Sequence, residues 1–151
     1  MKKLSTSPKE TEQLSKTFLD KILKNSLKNK GATVVGLSGD LGAGKTAFTQ
    51  YIGKLLGVKN KITSPTFVIF KKYQIKKLQK LPNYKFLIHI DAYRLKHEQE
   101  LLYLGWENMI NNKENLILVE WPENIKDIMP KHSFYIEISH GKDGSRIFKL
   151  Q

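Results

Sequence analysis

Gly39-Asp40-Leu41-Gly42-Ala43-Gly44-Lys45-Thr46 fits the pattern G-x-x-x-x-G-K-[ST] without a mismatch, and it constrains this chain more than any other stretch. Glycines let successive backbone N–H groups turn inward around an anion, and a helix starting near Thr46 adds the positive end of its dipole. In that arrangement the Lys45 ammonium reaches the outer phosphates and the Thr46 hydroxyl ligates Mg²⁺. The flanks agree. Ala32 to Ser38 (ATVVGLS) is a β-rich apolar run, and Ala47, Tyr51, Ile52, Leu55 and Leu56 recur at helical spacing until Gly57. Strand, loop and helix therefore come in the order a phosphate-binding loop requires, and nucleotide binding is the leading expectation.

The rest of the chain reads as one domain. Its 151 residues, 40% of them hydrophobic, suffice for a real core but leave no room for a lid or a second catalytic domain. No run has the length of a membrane span and the N-terminal stretch has no signal-like apolar region, so the expectation is a soluble, cytoplasmic protein without a membrane partner. Zero cysteines exclude disulfides and cysteine-ligated zinc. A formal charge of +12 attracts polyanions. Of 26 basic residues, however, only Arg94 and Arg146 are arginine, which argues against dedicated base recognition. An acidic partner surface and RNA held by another protein both stay open.

Ser7-Pro8-Lys9-Glu10 reads as a helix start, with the helix running to about Asn29 on a stripe of Leu14, Phe18, Ile22 and Leu23 and closed by Gly31. Ser64-Pro65 precedes a strand over residues 66–73, and a lysine-rich turn leads to a second strand over 85–93, together a hairpin or antiparallel insert. Residues 97–104 form a short helix with Leu101, Leu102 and Leu104 in the core, stopped by Gly105. Leu116 to Trp121 (LILVEW) is apolar enough for a strand covered on both faces. Residues 123–132 are loop or short helix, Phe134 to Ser139 alternates, and a tip at 140–144 returns the chain through Arg146 to Leu150. The fold class that follows is α/β, P-loop NTPase-like: a mainly parallel central sheet with antiparallel additions and flanking helices.

Hydrolysis needs more than a phosphate cradle, namely an acid near the metal and a group that positions water. Two acids follow apolar strands, Asp91 after FLIHI and Glu120 after LILV. In an open α/β sheet, ligands sit beyond the carboxyl ends of the strands, so both can face the loop. One would hold Mg²⁺ and the other would orient water; which does which stays open, as does a merely structural role for either. Thr66 either senses the terminal phosphate and its metal or simply opens a strand. Arg94 is a stabiliser of transferring phosphate, an interface anchor or half of an ion pair. Trp106 and Trp121 read as core or interface residues, although Trp121 adjoins Glu120. His89, alternating within a strand, reads as structural. A small-molecule kinase and a non-catalytic nucleotide-gated module are the alternatives to an ATPase.

GDLGAGKT, SPTF, HIDAYRL, the acidic and leucine-rich helix with LGW, and LVEWPE together closely resemble the TsaE family of bacterial P-loop ATPases, also called YjeE. The resemblance runs from near Thr11 to Arg146, and DAYRL and VEWPE at these distances from a P-loop are more specific than the loop itself. It implies an ATPase required with TsaB and TsaD for threonylcarbamoyladenosine in tRNAs reading codons that start with A. TsaE would be the energy-using accessory of that assembly, with tRNA reached indirectly through it. By resemblance, Gly39, Asp40, Leu41, Gly42, Ala43, Gly44 and Lys45 hold the phosphates of ATP. Thr46 and Glu120 coordinate Mg²⁺, Asp91 is the Walker B acid, and Thr11 and Arg146 are outlying nucleotide contacts.

Overall fold

Strand β2 (Thr33–Ser38) delivers the chain into the glycine-rich loop, and α2 (Lys45–Leu55) carries it away, as the flanking patterns predict. The structure is a computed structural model that describes residues 1–65, 68–77 and 82–151. The apolar LILV run lies in β5 (Asn115–Glu120), buried at every position. A strand covered on both faces has no reason to alternate.

Among the described residues, seven strands form one sheet. The remaining ones are β1 (Lys2–Ser5), β3 (Phe70–Gln74), β4 (Phe86–Asp91), β6 (Phe134–His140) and β7 (Arg146–Leu150), and the order across the sheet is β1-β7-β6-β2-β5-β4-β3. β6, β2, β5 and β4 run parallel. β3 adds antiparallel to β4 at one edge, and β7 and β1 add antiparallel at the other. The expected α/β architecture, parallel at its centre with antiparallel additions, is what the chain adopts.

Period-two alternation splits the core in two. Val35, Leu37, Leu116 and Leu118 pack with Phe18 of α1 (Pro8–Asn25) and with Phe48 and Ile52 of α2. Val34, Ile117 and Val119 meet Leu101 of α3 (Glu98–Tyr103) and Trp106 of α4 (Trp106–Asn111) on the other face. The rings of Phe18, Phe48 and Phe148 stand 6.1–6.2 Å apart in tilted pairs, joining α1, α2 and the terminal hairpin. Each such ring contributes about 1.5–3 kcal/mol of burial.

Several expectations shift. α1 starts where predicted, with the Ser7 side chain accepting from the Glu10 N–H, but it ends at Asn25 and is capped by Ser26. Gly31 is required elsewhere: a Cβ there would lie 2.3 Å from the Ile110 carbonyl oxygen. The strand expected over 66–73 runs from Phe70 to Gln74, while Thr66 and Phe67 lie outside the described residues. Leu101 is fully buried, yet Leu104 is 44% exposed. Gly105, at φ 92°, both stops α3 and starts α4, a helix the sequence reading did not include. β1 was likewise not foreseen.

Candidate nucleotide site

At the carboxyl end of β2 the backbone turns through Gly39, Gly42 and Gly44, with φ of 137°, 76° and 110°. These are left-handed values that side chains with a Cβ avoid. Gly39 also has no room, since a Cβ would lie 2.0 Å from the Ile138 carbonyl oxygen. α2 opens at Gly44 with no side-chain cap and no acid in its first turn. Among the described residues no side chain of the helix itself caps its N-terminal N–H groups, which leaves them directed at the loop, an arrangement that attracts an anion.

Lys45 closes the loop on itself. Its Nζ donates to the carbonyl oxygens of Gly39 at 2.6 Å and Asp40 at 2.9 Å, and stands 4.3 Å from the centre of the Trp121 ring. Burial pulls the amine below the ordinary lysine range, opposed by the charges of Glu120, Asp91, Glu123 and Asp40. Trp121 itself adopts φ 60° and ψ 52°. Left-handed backbone at a bulky residue costs roughly 1–2 kcal/mol, and here it turns the indole over Lys45 and within 5.0 Å of the Tyr93 ring.

The two acids arrive side by side. β4 and β5 are adjacent and parallel with Asp91 paired to Glu120, so the side chains leave the same face of the sheet. Glu120 Oε1 accepts from Thr46 Oγ1 at 2.7 Å, which ties the second acid-bearing strand to the first turn of α2. Asp91 Oδ2 accepts from Ser64 Oγ at 3.2 Å, and its Oδ1 from the Tyr93 N–H at 3.0 Å. A cavity of about 220 Å³ lies between these groups, lined by Gly42, Gly44, Lys45, Thr46, Asp91 and Glu120 among others.

A residue read as structural joins them. His89, fully buried, shares a 2.8 Å hydrogen bond between its Nε2 and the Glu120 Oε1 that Thr46 already holds, while its Nδ1 has no partner among the described residues. Parity was the available signal: His89 precedes Asp91 by two residues and pairs with Leu118, two before Glu120. All four share a face once β4 and β5 pair.

The outlying residues divide. The Arg146 guanidinium packs against the loop, 3.4 Å from where a Cβ on Gly44 would sit. Thr11 is buried and does not line the cavity; its hydroxyl bonds to Ser5 Oγ at 2.7 Å and to the Ser7 carbonyl oxygen at 3.2 Å. Ser5 pairs with Arg146 across β1 and β7, so Thr11 sits one side chain behind that arginine. Arg94 is exposed and lines a neighbouring cavity of about 590 Å³ with Leu41, Pro65, Val68 and Tyr93. Trp106 is core, its Nε1 donating to the Ile128 carbonyl. Thr66 lies outside the described residues. Among the described residues, no group of three or more His, Asp or Glu is placed to hold a metal, and no helix is long and apolar enough to cross a membrane.

Residues 5–148 match the family model described as threonylcarbamoyl adenosine biosynthesis protein TsaE. The chain is 40% identical over 124 residues to the tRNA threonylcarbamoyladenosine biosynthesis protein TsaE of Rickettsia typhi, covering 82% of this chain and 75% of that one. To the Haemophilus influenzae protein of the same name it is 31% identical over 135 residues, covering 89% and 79%. Among solved structures it is similar to YdiB of Bacillus subtilis, with a TM-score of 0.72 and 27% identity over 99% of this chain and 83% of the other.

Proposed function

The chain belongs to the TsaE family, which takes part in tRNA threonylcarbamoyladenosine biosynthesis, and from that premise we propose that it is a magnesium-dependent ATPase, a single P-loop domain serving that modification. The observation that carries the reading is the 2.7 Å bond from Thr46 to Glu120 at the uncapped start of α2. A hydroxyl and a carboxylate converge there beside a glycine-built anion nest.

The residues fit a magnesium-bound triphosphate. The glycine turns and the first-turn N–H groups of α2 take the phosphate oxygens, and Lys45 exchanges the Gly39 and Asp40 carbonyls for them. Thr46 and Glu120 are too few to hold a metal alone, and they suit Mg²⁺, which keeps waters and completes its shell with substrate phosphates. When bound, the ion would neutralise charge on the phosphates. Asp91, beside Glu120 and steadied by Ser64 and Tyr93, orients the attacking water. Arg146, packed on Gly44, adds a second cation to the phosphate side, with Thr11 supporting it through Ser5. Trp121 covers Lys45 and limits water access.

In this reading nucleotide turnover changes the protein's grip on a TsaB–TsaD-type complex in the cytoplasm, and the complex does the tRNA chemistry. Depletion followed by mass spectrometry of tRNA nucleosides tests the pathway: threonylcarbamoyladenosine falls if the reading holds, and unchanged levels reject it. A second reading, transfer to a small acceptor, is favoured by the 590 Å³ cavity beside the site. Terminally labelled ATP separates the two, because an ATPase releases free phosphate whereas a kinase leaves the label on the acceptor.

A further inference from the structure

In a parallel sheet every loop that leads into a strand emerges at the same edge, and for β6, β2, β5 and β4 that edge is opposite the glycine-rich loop. Exposed lysine gathers at this edge. Lys28, Lys30, Lys85, Lys113, Lys131 and His132 lie exposed in the segments ahead of β2, β4, β5 and β6. In residues 26–32, 82–85, 111–114 and 129–133 the only acid is Glu114, which Lys85 holds at 2.5 Å. Asp40, Asp91, Glu120 and Glu123 all stand at the opposite edge, where β2, β4 and β5 end.

Shape accompanies the charge. Two clefts, of about 470 and 610 Å³, meet at Asn29 and Gly31. Lys28, Lys30 and His132 line the first, and Lys85 and Lys113 line the second. Among the described residues, large exposed apolar groups are few there: Leu27 lines the second cleft, whereas Leu41, Val68 and Tyr93 gather beside the nucleotide cavity. Protein interfaces deplete lysine and build on apolar and aromatic anchors. A phosphodiester backbone needs only cations at suitable spacing, and lysine serves it as a point charge without reading sequence.

We propose that this lysine-lined edge binds the phosphodiester backbone of RNA, remote from the nucleotide site. The choice of RNA over other polyanions rests on membership in a tRNA-modification family. Backbone attraction also accounts for a strongly basic chain with only two arginines, for which base reading would be a poor use.

Fluorescence anisotropy of a labelled RNA hairpin, with no nucleotide added, tests this. Two triple variants remove equal charge: Lys28→Glu/Lys30→Glu/Lys113→Glu at the edge, and Lys2→Glu/Lys9→Glu/Lys16→Glu on β1 and α1. At about 50 mM salt the edge triple should bind at least roughly tenfold more weakly than wild type, with a salt slope shallower by about 2–3. The other triple should stay within about twofold, and the neutral glutamine triple at the edge should fall between. Equal weakening in both glutamate triples would overturn the proposal in favour of diffuse attraction. Polyglutamate competing as well as RNA would overturn it in favour of an acidic protein, and no binding by wild type would end it. ATP binding, measured separately and retained in both triples, shows that the variants are folded. Because the RNA measurement uses no nucleotide, failure of the ATPase reading and failure of this one are distinguishable.

Discussion

Glu120 Oε1 accepts from Thr46 Oγ1 and His89 Nε2 at once, so its carboxylate is aimed by two strands and a helix before any ligand arrives. Groups that orient a metal-binding carboxylate commonly matter about 10–100-fold. His89→Ala should therefore raise the Mg²⁺ concentration for half-maximal turnover about tenfold, while His89→Gln, which keeps a donor, recovers part of the loss. A Mg²⁺ titration at saturating ATP reads both, and a merely structural histidine would leave the midpoint unmoved. Lys45 gives a pH dependence whose sign is set. Burial holds its amine below the usual range, and a bound triphosphate favours the ammonium and raises the value again. Binding then takes up a proton between the two values, and affinity falls as pH rises through the ligand-free one. Calorimetry in buffers of differing ionisation enthalpy should show this uptake on the alkaline side, and a pH-independent affinity would exclude it.

The glycine-rich loop is an element whose glycines are not equivalent. Gly39 combines φ 137° with a clash, a Cβ falling 2.0 Å from the Ile138 carbonyl oxygen, whereas Gly42 at φ 76° has nothing within 4 Å among the described residues. Gly39→Ala should lose about 1–3 kcal/mol or more and Gly42→Ala about 1–2 kcal/mol. Urea unfolding checks the order, and equal losses would mean that the contact with β6 does not constrain the loop. The same contrast marks what a sequence can disclose. β2, the loop, α2 and β5 were legible because motif, periodicity and apolar run are all local. β1 was not, because its four residues carry no apolar pattern and are ordered by pairing with β7. α4 was hidden because Gly105 reads as a stop, and nothing nearby says that a second helix starts at the same residue. Of the site, the loop and both acids were visible; the link from His89 to Glu120 and the left-handed Trp121 depend on strand pairing and cavity shape, which no short window contains.

At the scale of the molecule, a strand's length separates the lysine-rich edge of the sheet from the edge where the glycine-rich loop, Asp91 and Glu120 converge and where we propose that nucleotide binds. A ligand that binds only the folded form stabilises all of it. At a hundredfold excess over Kd, Mg²⁺-ATP should add about 2.7 kcal/mol and raise Tm by roughly 5–10 °C. The Lys45→Ala protein should show little of that rise, and an equal rise in both would remove Lys45 from the site. The most direct trial of the whole mechanism is phosphate release by Glu120→Gln set beside its ATP affinity. Binding within a few-fold of wild type together with turnover reduced at least about 100-fold, the loss that follows when several kcal/mol of metal-supplied charge stabilisation is removed, is the expected outcome. Undiminished turnover would contradict a site in which Thr46 and Glu120 jointly hold the metal.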